Sequence, residues 1–435
     1  MMRPTLNNES KDNDNYSPAK QQLRFTSINS INRKLTKYEN VLKYAQDQIN
    51  MIVNGGSDVF DNAFKFDFDI FEFMNYTNRP LLVLGVYLLS NAQIFHKLFN
   101  NNKVNLLSCA HFLDLCEKLY QKNPYHNHIH ATDVMQFNMI LLSSSFINYH
   151  FEDYELLSAF MSAVAHDIGH IGKNNDFLIK SEHKLAVKFN NVSCLENYHI
   201  EQFHQTLQDN SKANWIKHFG DKTQKYMIDI VEYAILGTDM GVYHNEIKKT
   251  LKETYNEEWV KKSYQTKLSF DEKKYIIRSC LHLSDISNPM RPFQICQKWA
   301  NRVNEEFFSQ GDAMKEMGLE VSMGCDRTKT DVVKNQNGFV QFCVKPLTES
   351  LSKLISELDW CLKNMDINTE KWTNLKKGQE EQQKESLQEI ATKQKIESSN
   401  NNKLESLNES PSTTETDETI ATSSFNSNQS ADNLI

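Results

Sequence analysis

The stretch NPYHNHIHATDV (123–134) sets three histidines at alternate positions, His126, His128 and His130, with Asp133 close behind. On a helix, His126 and His130 stand one turn apart and share a face, whereas His128 points roughly to the other side. One pair can therefore converge on a site, and the middle residue cannot join it. A second cluster, AVAHDIGHIG (163–172), joins His166 to Asp167 and places His170 four residues after His166. It follows the apolar run LLSAFMSAVA, so a His-Asp pair ends a buried helix, where an uncompensated carboxylate is costly. Asp285, in SCLHLSDISNP, also follows an apolar helix and precedes a proline that ends it. A divalent cation compensates such carboxylates. Two imidazoles and two carboxylates suit zinc, with open positions left for water. A carboxylate that bridges to a harder Mg²⁺ or Mn²⁺ makes a two-metal hydrolytic site. Such a pair lowers the pKa of a shared water and neutralises a phosphoryl group, and a nearby histidine can protonate the leaving alkoxide.

These groups need rigid elements to hold them. From about Val59 to Met365 the chain is dense in Leu, Ile, Phe and Tyr. The segments LLVLGVYLLSNAQIFHKLF, YELLSAFMSAVAHD, KYMIDIVEYAIL, KKYIIRSCLHLSD and FQICQKWANRVNEEFF read as helices. Few runs alternate with period two, and 13 Gly and 8 Pro are too few for a many-turned sheet. The expectation is an all-α domain over 59–365. Residues 35–58 form an N-terminal helical segment in which Val41, Leu42, Ala45, Ile49 and Ile52 recur at three and four. The polar segment 1–34 and the acidic tail 366–435 are expected to be disordered, with GQEEQQKESLQEIATKQKIES forming at most a transient helix.

The formal net charge of −8 argues against a nucleic-acid binder. The tail 366–435 holds 13 acidic and 7 basic residues, so it carries −6 of that charge and the rest is nearly neutral. Eight scattered cysteines without a C-x-x-C pair suit reduced thiols in a cytoplasmic setting. No secretory h-region opens the chain. The longest apolar run, PLLVLGVYLL, is about half the roughly 20 residues of a membrane-spanning helix.

The ordered series FDFDIFEF, YHNHIHATDV, AHDIGHIGKNNDFLI, CLENYHI, GTDM, SDISNP, NEEFFSQGD and QNGFVQF resembles the catalytic domain of class I cyclic nucleotide phosphodiesterases over Phe66 to Leu362. The resemblance implies hydrolysis of 3′,5′-cyclic nucleotides to 5′-monophosphates. In that reaction a hydroxide bridging two metals attacks phosphorus, and His126, as general acid, protonates O3′. It implies that His130, His166, Asp167 and Asp285 hold the tight metal, zinc. Asp167 would bridge to Mg²⁺ or Mn²⁺ at the second site. His170, Glu196 and Thr238 match residues that hold metal-bound waters. Tyr125, Asn288, Val303, Gln336 and Phe339 match the substrate pocket, with Gln336 bonding the purine and Phe339 and Val303 clamping it. Asn288 falls where cAMP-preferring members carry Asn, so cAMP is favoured over cGMP. Gly169 and Ile171 depart from the family, which often has an acidic residue or Asn and a Pro there. Met323-Gly324 departs from a common Pro-Met.

Two other readings compete. HD-type metal phosphohydrolases carry H…HD…D ligands and cleave other phosphate esters, but lack the preceding His126 motif and the Gln336–Phe339 clamp. A non-catalytic cyclic-nucleotide scaffold would need a missing ligand or acid, and none is missing. As for partners, the N-terminal helix is a candidate homodimer surface, and Thr36, after Arg33-Lys34, stands in a context that basic-directed kinases accept.

Overall fold

The computed structural model describes residues 40–101 and 104–408, with side chains through Ile396. The expected disordered segment 1–34, Thr36 and the last part of the tail, 409–435, lie outside the described residues. Among the described residues there is no strand. Eleven helices reach ten residues or more. They are α1 (Asn40–Asn54), α2 (Pro80–Asn91), α3 (Leu106–Leu119), α4 (His128–Leu142), α5 (Asp153–Ala165) and α6 (Cys194–Asp209), then α7 (Asp221–Leu236), α8 (His244–Glu253), α9 (Phe270–Asp285), α10 (Phe293–Glu316) and α11 (Asp359–Asn408). The all-α expectation holds.

The centre of the fold is α4. Every residue from Ile129 to Leu142 is buried, and the helix packs against α2, α5 and α9. Its start is set by Asn127, whose Oδ1 accepts from the backbone N–H groups of Ile129 at 2.8 Å and His130 at 3.4 Å. Glu152 with Glu155, and Ser269 with Glu272, form capping boxes that start α5 and α9. α5 lies between α4 and α7, and α7 packs on α9. The C-terminal end of α5, the C-terminal end of α9 and the N-terminal end of α4 therefore meet.

α1 buries Ala45, Ile49 and Ile52 and partly buries Val41 and Leu42, the five periodic residues. That stripe is covered by α2 and α3 within the chain. The long apolar segment read as one helix is broken. Ala92 is extended (φ −69°, ψ 124°), and Pro80–Asn91 and Gln93–Asn100 meet at a 73° bend. Asn91 marks the break, because its side chain donates to the Tyr87 carbonyl at 2.7 Å and so competes for a backbone acceptor of the last turn. No single helix among the described residues is long and apolar enough to cross a membrane.

The chain divides into two compact units, at Thr369–Glu370. Where disorder was expected from residue 366, α11 continues to Asn408. Every side chain from Gln379 to Ile396 is exposed. Gln, Glu and Lys are strong helix formers, and after Gly378 no Gly or Pro interrupts them before Pro411. None of the eight cysteines is in a disulfide.

Candidate metal centre and active site

His130 sits in the first turn of α4, His166 caps the C-terminus of α5 with Asp167 next to it, and Asp285 is the last residue of α9. Their ligand atoms lie within 4.8 Å of one another. His130 Nε2 is 3.0 Å from Asp285 Oδ1, 3.3 Å from His166 Nε2 and 3.7 Å from Asp167 Oδ2. His166 Nε2 is 3.3 Å from both Asp167 Oδ2 and Asp285 Oδ1. His166 Nδ1 donates to the Ala163 carbonyl at 2.8 Å, which leaves the Nε2 lone pair facing the cluster. The buried Oδ2 of Asp167 has no hydrogen-bond partner.

Two imidazole nitrogens and two carboxylate oxygens aimed at one point, with one oxygen orphaned, are the donor set a divalent cation satisfies. The electrostatics agree. Burial pushes the carboxyls of Asp167 and Asp285 up, but the His166 imidazole more than reverses this and holds both well below the ordinary range. Burial lowers His166 in turn, and the charges of Asp167 and Asp285 overcome it and raise the imidazole well above its usual value. A cation competes with that proton for the same lone pair.

Beside this cluster, the His126, His170 and Glu306 ligand atoms form a second group, and Asp167, His170 and His199 a third. His126 does not lie on the helix with His130. Asn127 is the cap of α4, so His126 precedes the helix, and the shared-face geometry expected from the spacing is replaced by a turn. What positions His126 is Glu306, from the middle of α10. One oxygen of Glu306 accepts from the backbone N–H groups of Tyr125 at 2.9 Å and His126 at 3.0 Å. The other lies 2.5 Å from His126 Nδ1. The His126 ring stacks on His170, with centroids 4.0 Å apart. Burial lowers the His126 pKa, and Glu306, by charge and hydrogen bond, raises it to about 9. His170 is held well below its usual value by burial and then by the His126 charge. His126 thus lies at the edge of the His/Asp cluster, its pKa raised by Glu306, and stacks on His170, whose pKa is lowered. His128 begins α4, is half-buried, and belongs to none of the three groups.

Glu306 and His199 were not singled out in the sequence, and each had a signal. Glu306 falls three residues after Val303 and seven after Trp299, so it is a carboxylate on an inward-facing stripe. His199 shares the buried face of α6 with Leu195, Glu196 and Phe203. Its Nδ1 donates to the Ile168 carbonyl at 2.8 Å, and its Nε2 approaches Asp167 Oδ1 at 3.5 Å. Gly169, the departure from the family pattern, has φ +80°, and a Cβ there would meet Tyr198 at 2.9 Å. The left-handed backbone favours Gly and, after it, Asn or Asp.

Glu196 and Thr238 are buried nearby but make no direct hydrogen bond to the four-residue cluster among the described contacts. Glu196 accepts from Asn175 Nδ2 at 2.9 Å. Burial, then the Asp239 charge, raises its pKa to about 8, and it also feels the Asp167 charge. Thr238 Oγ1 donates to the Ile235 carbonyl at 2.8 Å. Tyr125 packs its ring 4.5 Å from the His130 ring, and its hydroxyl donates to Asn288 Oδ1 at 2.5 Å. Val303 on α10 and Phe339 at the end of the Val332–Phe339 helix are half-buried against the main core. Gln336 is three residues before Phe339, on the same side of that helix. Directly after it, Val340–Val344 is a π-helix, a widened turn often found near functional sites. These last three residues share no hydrogen bond or ring contact with the His/Asp cluster among the described contacts.

The profile of the family described as 3′5′-cyclic nucleotide phosphodiesterase matches residues 125–365. A probable 3′,5′-cyclic-AMP phosphodiesterase of Caenorhabditis elegans is 35% identical over 279 residues, 64% of this chain and 40% of the relative. A Drosophila melanogaster protein described as a high affinity cAMP-specific and IBMX-insensitive 3′,5′-cyclic phosphodiesterase is 32% identical over 347 residues, 78% of this chain and 36% of the relative. The chain thus spans about 40% of the length of the curated relatives it matches. The solved phosphodiesterase domain of the rhodopsin fusion protein of Salpingoeca rosetta superimposes with a TM-score of 0.65 at 25% identity, covering 73% of this chain and 97% of that one.

Proposed function

This chain belongs to the 3′,5′-cyclic nucleotide phosphodiesterase family, and from that membership we propose that it hydrolyses 3′,5′-cyclic nucleotides to 5′-monophosphates, with cAMP preferred. The observation that carries the reading is the convergence of His130, His166, Asp167 and Asp285 beside His126, whose Nδ1 faces the Glu306 carboxylate. The four residues would hold zinc, with Asp167 shared with Mg²⁺ or Mn²⁺. Bound there, the metals would supply an acidified water and neutralise phosphoryl charge. The chain's own residues do the rest. His126 gives its Nε2 proton to the departing O3′, and Glu306 stabilises the cationic donor and fixes its ring. His199 and the Ala163 carbonyl orient the cluster from behind, while His170, Glu196 and Thr238 would hold waters beside a second cation. Tyr125, Asn288 and Gln336 would bond the base, with Val303 and Phe339 on its two faces. The preference for cAMP is supported by Asn288 and by the relatives named for that nucleotide.

Purified protein with Mg²⁺ is expected to convert cAMP to 5′-AMP faster than cGMP to 5′-GMP, followed by chromatography. His126→Ala is expected to lose most turnover while retaining zinc by elemental analysis. Full turnover in that variant would remove the acid role, and no hydrolysis of either nucleotide by the unaltered protein would remove the reading.

A further inference from the structure

A cleft of about 570 Å³ opens between α8 and the short helix Lys345–Leu351, and it shares no residue with the three His/Asp groups. Lys248, Lys249 and Lys252 of α8 and Lys353, just past the short helix, line it, with Glu253 and Glu349 as its carboxylates. Four ammonium groups against two carboxylates leave the lining a net charge of +2. Glu246, also on α8, is taken by Arg278. Lys248 and Lys252 are four residues apart and Lys249 and Lys252 three, so like charges neighbour one another on the helix, an arrangement that costs stability. Lys249, Lys252 and Lys353 are exposed, and among the described residues their ammonium groups have neither an ion pair nor a hydrogen bond.

Ordinary roles account for part of this set. Lys252 lies in the last turn of α8, where a cation offsets the helix dipole, and Lys353 lies near the end of the short helix. Lys248 has a structural partner. Pro346 has no N–H to offer the carbonyl four residues back, and Lys248 Nζ reaches that Phe342 carbonyl at 3.2 Å. Neither role involves Lys249, and neither gathers four ammonium groups around one concavity. The volume lies within the roughly 300–1,000 Å³ of small-molecule sites. Lysines bind phosphate as separate point charges, whereas a single carboxylate is gripped best by the planar fork of an arginine. Ammonium groups spread over a concave wall therefore suit several phosphates on one compact scaffold. We propose that this cleft is a second ligand site, separate from the metal centre, for a soluble small molecule carrying several phosphate groups.

The test is calorimetric titration of the full chain with inositol hexakisphosphate, without added divalent cation, and with zinc content measured before and after. One molecule is expected to bind per chain, with zinc content unchanged. Lys249→Gln with Lys252→Gln is expected to weaken binding about tenfold or more, since two charged contacts to phosphate are lost. Lys261→Gln with Lys262→Gln, in the next helix, Glu257–Ser263, removes the same charge outside the cleft and is expected to change affinity less than about twofold. Glu349→Gln removes a repelling carboxylate and is expected to tighten binding about two- to threefold, a gain that a misfolded variant cannot give. No binding by the unaltered chain overturns the proposal. An equal loss in both lysine pairs overturns it too, because the attraction is then diffuse charge. Binding that is indifferent to Lys249→Gln with Lys252→Gln, or that strips zinc, places the probe at the metal centre and also overturns it. Binding to vesicles of phosphatidylcholine and phosphatidylserine or to polyglutamate, with none to inositol hexakisphosphate, assigns the lysines to an acidic surface and refutes a small-molecule site.

Discussion

Glu306→Gln separates the charge of Glu306 from its hydrogen bonds. The replacement keeps an oxygen for the backbone N–H groups of Tyr125 and His126 and a polar group facing His126 Nδ1, so the ring stays where Glu306 puts it. What disappears is the negative charge that lifts the His126 pKa from 6.5 to about 9 against the burial that lowers it. At about 1.36 kcal/mol per pH unit, that difference corresponds to roughly 3 kcal/mol favouring the protonated imidazole. Without the Glu306 charge, burial pulls His126 back towards its ordinary 6.5 against the smaller pulls of Asp167 and Asp285. A general acid works in its protonated form, so activity falls as pH rises through its pKa. At pH 8 the unaltered protein keeps most of its His126 protonated, whereas the variant keeps about one part in thirty. The expected loss is therefore roughly thirtyfold at pH 8 and less than about twofold at pH 6. The assay is kcat/KM for cAMP across pH 5.5 to 9.5, with zinc content measured at each end. A basic limb at the same pH in both proteins, or a uniform loss across the whole range, refutes the reasoning. The same shift has a stability side. A raised histidine pKa stabilises the fold fully below 6.5, and the contribution is lost as pH rises through about 9.

Three further outcomes are expected. His128→Ser, on the half-buried residue that joins none of the ligand groups, is expected to keep turnover within about twofold by the same assay, since surface changes usually stay within ±0.5 kcal/mol; a tenfold loss would contradict its bystander place. Asn127→Ala removes the cap of α4 and is expected to cost about 1 kcal/mol in urea unfolding, so an unchanged midpoint would show that the cap is not limiting. His282 pairs with His244 at 3.0 Å, and burial, with the His244 charge, lowers it to about 4. Its contribution is intact above pH 6.5 and is lost as pH falls towards 4, by roughly 3 kcal/mol. The urea midpoint of His282→Gln should therefore change less between pH 7.5 and 5 than that of the unaltered protein, and equal changes would refute the assignment.

The candidate metal ligands were legible in the sequence because ligand chemistry belongs to residue type. A His-Asp pair ending an apolar run, and an Asp ending another, declare a buried charge that needs compensation. The helical fold was legible for a similar reason: the stripe Ala45, Ile49, Ile52 and the mostly apolar segment of α5 are local patterns. Where local readings failed, a single residue overrode the pattern. Asn127 stops α4 from reaching back to His126, and Asn91 with Ala92 divides a helix that hydrophobicity alone would continue. The tail carries both signals: its polarity suggests disorder with a solvated helix in GQEEQQKESLQEIATKQKIES, and its Gln, Glu and Lys favour the exposed helix that runs to Asn408.

Sequence by itself determined which groups can bind cations, which can carry a proton, and that the chain is built of helices, because these depend on side-chain chemistry and on periodicities of three or four residues. Only the tertiary structure decided which of those groups act together. Glu306 reaches His126 across 180 residues, and Arg291 meets Asp133 across 158. No local pattern encodes such partners, since the packing of α4 against its neighbours brings them within a few ångströms. The Glu306 carboxylate so placed raises His126 to about 9 against the burial that lowers it, and Arg291 lies beside Asp133, which stays outside the His/Asp cluster.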